Sequence, residues 1–376
     1  MKLATILLGT IPFLLAALLT GAAAGAEPSG QIAFLSGTEQ EDLCVCVLDI
    51  ATGAVTRVGM GGRDGAPVWS PDGAWIAFPS QQPDGMGIRL VRADGSEPRA
   101  IAHARLWNRW PRWAPDGKRL MYAADDGEPF QSKIVVYDVE SNTETGWGGD
   151  QSGLMRPVWI TGMKLLSTLK QLESVEYGQS TLDAFMADLE QTGGALAVGM
   201  VGEPGALSTE IFLVTVNGAA PLVPKALNRG AYVEWVTEIN PKGDRIAVET
   251  NDGGDREIFV FSKRGMTDVT NHHTADWNPS WSPDGEWVVF ESFRGGRRGI
   301  YRVYCETIRV FPVAVSENAD NWCPAWSPDG NWIAFVSDRT GDPEIFLCDA
   351  AGTETRQLTN RAGLDYAPAW RPKGTP

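Results

Sequence analysis

The segment Pro324-Ala325-Trp326-Ser327-Pro328-Asp329-Gly330-Asn331-Trp332-Ile333-Ala334-Phe335 is copied, with small changes, along much of the 376-residue chain. Near copies begin at Pro67, Pro111 and Pro279, and a truncated one begins at Pro368. The prolines of the Pro-Asp-Gly step and its variant fall at Pro71, Pro115, Pro283, Pro328 and Pro372, a spacing of 44 to 45 residues wherever copies adjoin. A repeat of this length, rich in short apolar runs and turn residues, predicts stacked four-stranded sheets arranged as the blades of a β-propeller. The architecture follows from the repeat; the function does not, because one propeller frame carries many functions.

Within the reference copy, Pro324 to Ser327 reads as the innermost strand and Pro328-Asp329-Gly330 as a turn. Proline presets one φ there, and glycine tolerates a positive one. Trp332 to Ser337, Glu344 to Cys348 and Arg356 to Thr359 read as three further strands, separated by polar turns. The tail Pro368-Ala369-Trp370-Arg371 has an innermost strand with nothing after it, and Gln31 to Leu35 reads as a second strand with nothing before it. One blade is therefore expected to be shared between the termini, which closes the ring and removes its open edges. The middle is ambiguous. Trp159 to Gly162 is a degraded copy, and the next turn is Pro241-Lys242-Gly243. An insertion is expected at about 165–205, with Leu182, Phe185, Met186 and Leu189 at helical spacing, although Gly194 to Val198 also reads as a strand. Seven blades are favoured, with six and eight left open.

Residues 1–26 have a basic start, an apolar run and the small-residue stretch Ala24-Gly25-Ala26, the three parts of an export signal. The expected domains are thus a signal peptide, 1–26, and one propeller, 27–376, with a periplasmic or secreted location and no stable membrane insertion. The net charge of −15 becomes −16 once Lys2 is removed, which disfavours nucleic acid as a partner. The five cysteines fit no zinc spacing, and no pairing among them follows from the sequence.

A polar residue stands five positions before five of the six central tryptophans: Asp64, Asn108, Asp276, Asn321 and Asp365. Glu234 holds the same place before Ile239, and Leu154 before Trp159. Repeat symmetry puts these positions around one end of the central channel. Each could hold its own loop through backbone N–H bonds. Together they could form a rim of oxygens for a cation, calcium included, or for the amino end of a peptide. The central residues Trp69, Trp113, Trp159, Trp281, Trp326 and Trp370 read as packing between blades. Trp107, Trp277 and Trp322 sit beside the polar positions, where aromatic groups suit a protein contact or a sugar ring. The chain has three histidines, and only His272 and His273, near Asp276, hint at a metal site. No nucleophile elbow or paired catalytic set stands out, and no cofactor is called for.

Trp326-Ser327-Pro328-Asp329-Gly330, Ile333-Ala334-Phe335, Ser337-Asp338-Arg339, Glu344-Ile345-Phe346 and Leu358-Thr359 resemble the WD40-like propeller repeats of the TolB family, over nearly all of the chain after residue 26. The resemblance implies an exported propeller that works through protein contacts at its channel. The six blades and the extra N-terminal α/β domain of TolB fit this strand pattern poorly. Similar repeats occur in propellers of prolyl-oligopeptidase-like enzymes, whose hydrolase domain has no counterpart here, and in oligogalacturonate lyases, whose metal centre is rich in histidine. Two readings result. In the first, a non-catalytic propeller binds a protein or peptide at the rim. In the second, it binds carbohydrate, or acts as a metal-assisted polysaccharide lyase using His272, His273 and Asp276.

Overall fold

The computed structural model describes residues 27–83, 85–101, 107–125, 131–149, 153–160, 187, 193–201, 208–217, 219–221, 237–251 and 254–374. It is an all-β ring of seven sheets, each of four antiparallel strands. In chain order the innermost strands are Val68–Trp69, Trp107–Trp113, Leu154–Trp159, Thr237–Ile239, Asp276–Trp281, Asn321–Trp326 and Leu364–Trp370, and these define blades 1 to 7. Blade 6 continues through Trp332–Ser337, Glu344–Asp349 and Thr355–Gln357, the division read from its sequence.

Blade 7 joins the two ends of the chain. Leu364–Trp370 pairs with Gln31–Gly37, placing Trp370 opposite Ile32 and Ala369 opposite Ala33. Cys44–Asp49 and Val55–Arg57 complete that sheet. Between Trp159 and Ile239 lies one blade rather than two. The inner strand of blade 3 pairs with Ala195–Val201, so the long connection separates its first two strands. The second strand takes the end of the stretch expected as an insertion; Leu182, Phe185, Met186 and Leu189 lie outside the described residues, as do residues 1–26.

The turn chemistry explains why the Trp-Ser-Pro-Asp-Gly step recurs. Ser70, Ser282 and Ser327 each donate a hydroxyl to the aspartate two residues on, at 2.5, 2.5 and 2.6 Å. The same hydroxyl oxygens accept the amide five residues on, from Trp75, Trp287 and Trp332. The glycines Gly73, Gly285 and Gly330 sit at φ near +70°, which a residue with a Cβ adopts only with strain. The tryptophan before each serine is buried between blades. At five of the six central tryptophans the indole N–H reaches a carbonyl on the inner strand of the preceding blade, while that of Trp326 is buried without a partner. Trp69 donates to Ala369, Trp113 to Val68, Trp159 to Arg112, Trp281 to Glu238 and Trp370 to Ala325, at 3.0 to 3.3 Å. One side chain thus supplies apolar bulk to the seam and a directional bond that fixes the next blade's height. All five cysteines are free thiols.

Candidate functional site

The inner strands surround a channel cavity of about 350 Å³. Each blade contributes to its wall, through Ala66, Trp110 and Arg112, Arg156 and Val158, Glu238, Asn278, Cys323 and Pro368 in blade order. A shared irregularity aims several of these residues. The residue before the inner-strand proline has a positive φ at Trp110, Arg156, Asn278, Cys323 and Ala367, between 49° and 55°. The pairing register shifts across the same positions. A left-handed residue without glycine costs on the order of 1 kcal/mol, and the position before proline disfavours it further. The surrounding ring therefore imposes the bulge.

Buried carboxylates satisfy two of the amides that the bulge frees. Asn278 N donates to Glu249 Oε1 at 2.7 Å, and Cys323 N donates to Glu291 Oε1 at 2.8 Å. Glu291 is fully buried, also accepts Asn278 Nδ2 at 2.7 Å and pairs with Arg298 at 2.5 Å. Burial pushes Glu249 up to about 7, against the opposing effects of the Asn278 amide, Arg256 and Arg156. Burial raises Glu238 as well, with Arg112 and the Trp281 amide acting the other way. The channel is therefore lined by mixed arginine and glutamate groups rather than by a purely acidic set. The sequence contains a signal for this in the X-Pro pair two residues after each polar position, and in single glutamates ending otherwise apolar second strands.

Asp64, Asn108, Asp276, Asn321 and Asp365 do lie at equivalent places, but each is at most 4% exposed. They are wedged between blades, where they hold the chain segments leading into the inner strands. Asp64 accepts the Ser80 hydroxyl at 2.7 Å and Val45 N at 3.2 Å. Asn108 donates to the Met86 carbonyl at 3.0 Å. Asp276 accepts Arg294 at 2.6 Å, and Asn321 accepts Arg339 at 2.8 Å. These arginines explain the repeated Ser-x-Arg step. Each also donates Nε to the serine two residues earlier, at 2.9 Å, and lies over an aromatic pair, Phe290 with Tyr301 or Phe335 with Phe346. Glu234 lies outside the described residues.

The aromatic candidates reach the surface to different degrees. Trp107 is 41% exposed, with the Arg109 guanidinium 4.9 Å from its ring. Trp277 and Trp322 are half-buried and flank Arg298, whose guanidinium lies 5.5 Å from each ring. Phe293, absent from the sequence reading, is 43% exposed and lies 5.2 Å from the Trp277 ring. A five-residue strand period would not have found it, because it stands in the loop after the second strand.

The rings of His272 and His273 lie 4.1 Å apart. His272 Nδ1 shares a hydrogen bond with the Thr274 hydroxyl at 2.8 Å, and Asp276 is engaged by Arg294. Among the described residues no three His, Cys, Asp or Glu side chains converge as a metal-binding group.

No family model matches the chain. A stretch of 148 residues is 30% identical to the TolB homolog of Chlorobium chlorochromatii, covering 39% of this chain and 33% of that protein. A stretch of 121 residues is 31% identical to the Tol-Pal system protein TolB of Desulfosudis oleivorans, covering 32% and 27%. The uncharacterized peptidase YuxL of Bacillus subtilis is 42% identical over 238 residues, covering 60% of this chain and 29% of that protein. The matches span half or less of the length of these curated relatives. Among solved structures, TolB from Acinetobacter baumannii aligns with a TM-score of 0.55 at 15% identity, over 91% of this chain and 67% of that one. The β-propeller domain of the Trilobed protease from Pyrococcus furiosus, which has an open velcro topology, aligns with a TM-score of 0.61 at 13% identity, over 89% and 96%. At such identities the likeness is one of fold.

Proposed function

We propose that this chain, a TolB-like β-propeller, is an exported module that binds a protein or peptide at the end of its channel where the inner strands begin. The observation that carries the reading is the cluster of Trp277, Phe293, Arg298 and Trp322, in which aromatic faces stay open while a buried carboxylate holds the arginine between them. Rigid aromatic groups fixed beside an arginine are the composition of interaction hot spots. Trp107 with Arg109 extends the surface on blade 2. In this reading Asp64, Asn108, Asp276, Asn321 and Asp365 set the height of the rim loops, and the aromatic groups make the contact. Likeness to proteins named for the Tol-Pal system supports a protein as the partner.

The test is affinity capture from envelope and secreted extracts, with a photocrosslinking residue at position 293 and a Trp277→Ala/Trp322→Ala variant as the comparison. A partner crosslinked at 293 and bound about 30-fold or more weakly by the variant supports the reading. A partner bound equally by both forms removes this face from consideration, and capture of glycan alone turns the reading toward carbohydrate.

A further inference from the structure

We infer that two seams of the ring each bind one proton between paired carboxyl groups, Glu257 with Asp276 and Glu344 with Asp365. This goes beyond partner binding and does not depend on it. Glu257 begins the third strand of blade 4, and Asp276 begins the inner strand of blade 5. Glu344 and Asp365 repeat the arrangement between blades 6 and 7. All four side chains are at most 7% exposed, and in both seams the carboxyls face each other within hydrogen-bonding reach.

Donors occupy both oxygens of each glutamate. Glu257 Oε1 accepts His272 N at 2.9 Å, and Oε2 accepts the Thr270 hydroxyl at 2.6 Å. Glu344 Oε1 accepts Arg361 N at 2.7 Å, and Oε2 accepts the Thr359 hydroxyl. Each threonine oxygen in turn accepts a backbone amide, from Ile258 and Ile345, which turns its hydrogen toward the glutamate. One oxygen on each aspartate has no partner: Asp276 Oδ1 and Asp365 Oδ2. Two buried carboxylates side by side repel strongly, and an oxygen buried without a donor costs further free energy. A single proton between the groups removes both penalties. A cation fits less well, because N–H and O–H donors already point at the glutamates and two carboxyls fall short of a calcium ligand set.

Three of the other seams act as internal comparisons. Where the corresponding third-strand position is Gly87 or Gly299, the residue entering the next inner strand is an asparagine, Asn108 or Asn321. Where it begins with Cys44, Asp64 finds the Ser80 hydroxyl and the Val45 amide instead. An accepting oxygen alone does not require aspartate at this place, and aspartate facing glutamate is compatible with burial only when a proton is shared.

The charged and titratable neighbours are few. Arg294 bonds Asp276, while Asp268 and the His272 ring lie near the blade 4–5 pair. Arg361 and Cys46 lie near the blade 6–7 pair. Burial raises Glu257 to about 7, and it raises Asp276 and Glu344 as well. A carboxyl raised on folding stabilises the native state most below its unfolded value of about 4 and loses that contribution as pH climbs through the folded value. The blade 6–7 pair includes the strand that closes the ring, so closure should weaken as pH climbs above about 4 and through the raised value of Glu344.

Thermal unfolding from pH 5 to 8, with EDTA present, tests this on the wild type, on Asp276→Asn/Asp365→Asn and on Glu257→Gln/Glu344→Gln. The wild-type midpoint should fall by a few degrees as pH rises, while both variants lose most of that slope, since an amide N–H replaces the shared proton. Carbon-13-edited infrared spectra at pH 6 should show protonated carboxyl groups that disappear in the variants. Equal slopes in wild type and in every variant that folds, or no protonated carboxyl band at pH 6, overturn the inference. A midpoint raised by added calcium in the wild type and unmoved in the variants overturns it in favour of a cation.

Discussion

Glu291 connects three segments of the ring at a single side chain: the bulge of blade 5, the bulge of blade 6 and the arginine between the half-buried Trp277 and Trp322. Replacing it with alanine leaves the Cys323 amide and the Arg298 guanidinium without their partner. Glu291→Ala should destabilise the fold by about 3 kcal/mol in urea denaturation, the magnitude expected when one member of a buried pair is removed. Its neighbour Glu249 is raised by burial to about 7, so its ionised form is costly in the native state. The central tryptophans are readable in the sequence because bulk and period announce them. Glu249 and Glu291 are not, because each looks like a polar residue closing an apolar run, and only the neighbouring blade reveals what it caps. The polar positions at 64, 108, 276, 321 and 365 were legible as a set, but their burial depends on the third strand of the preceding blade, which no local pattern records.

At the scale of the strand, the inner strands combine regular pairing with one left-handed residue before proline. Local preference opposes that conformation, so the prolines were legible as markers and the bulges were not. Ala367 illustrates the constraint at φ 54°. A branched side chain is far less tolerant there than alanine, and Ala367→Val should lower stability by about 1 to 2 kcal/mol, measured as a reduced thermal midpoint with an unchanged sheet signal in circular dichroism. The Pro-Asp-Gly turns behave in the opposite way. Their sequence encodes their geometry directly through the serine hydroxyl, the aspartate and the positive-φ glycine, so they were readable wherever they occur. Blade 3 was ambiguous because Thr161-Gly162 replaces that turn and a long connection precedes Ala195.

For the whole molecule, the ring depends on a sheet assembled from the first and last described strands. Truncation after residue 360 removes Leu364–Trp370 and strips the buried faces of Ile32 and Phe34 of their cover. The shortened chain should unfold at a lower temperature and in more than one calorimetric transition, because the remaining blades lose their closed cycle of contacts. A single transition at the full-length midpoint would show that closure contributes little. The shared blade itself was legible because the two ends have complementary deficits, one strand missing at the head and three at the tail.

Arg371 N donates to Gln31 O at 2.8 Å, so the head and tail leave the sheet at the same end of two adjacent strands. Tension applied between the two ends would therefore load the ladder one rung at a time, beginning at Ile32 and Trp370, instead of sharing the load among all its rungs. A ring closed in this way is weakest to a pull on its own two ends, and the points at which those ends are held decide how much of that load the ladder feels.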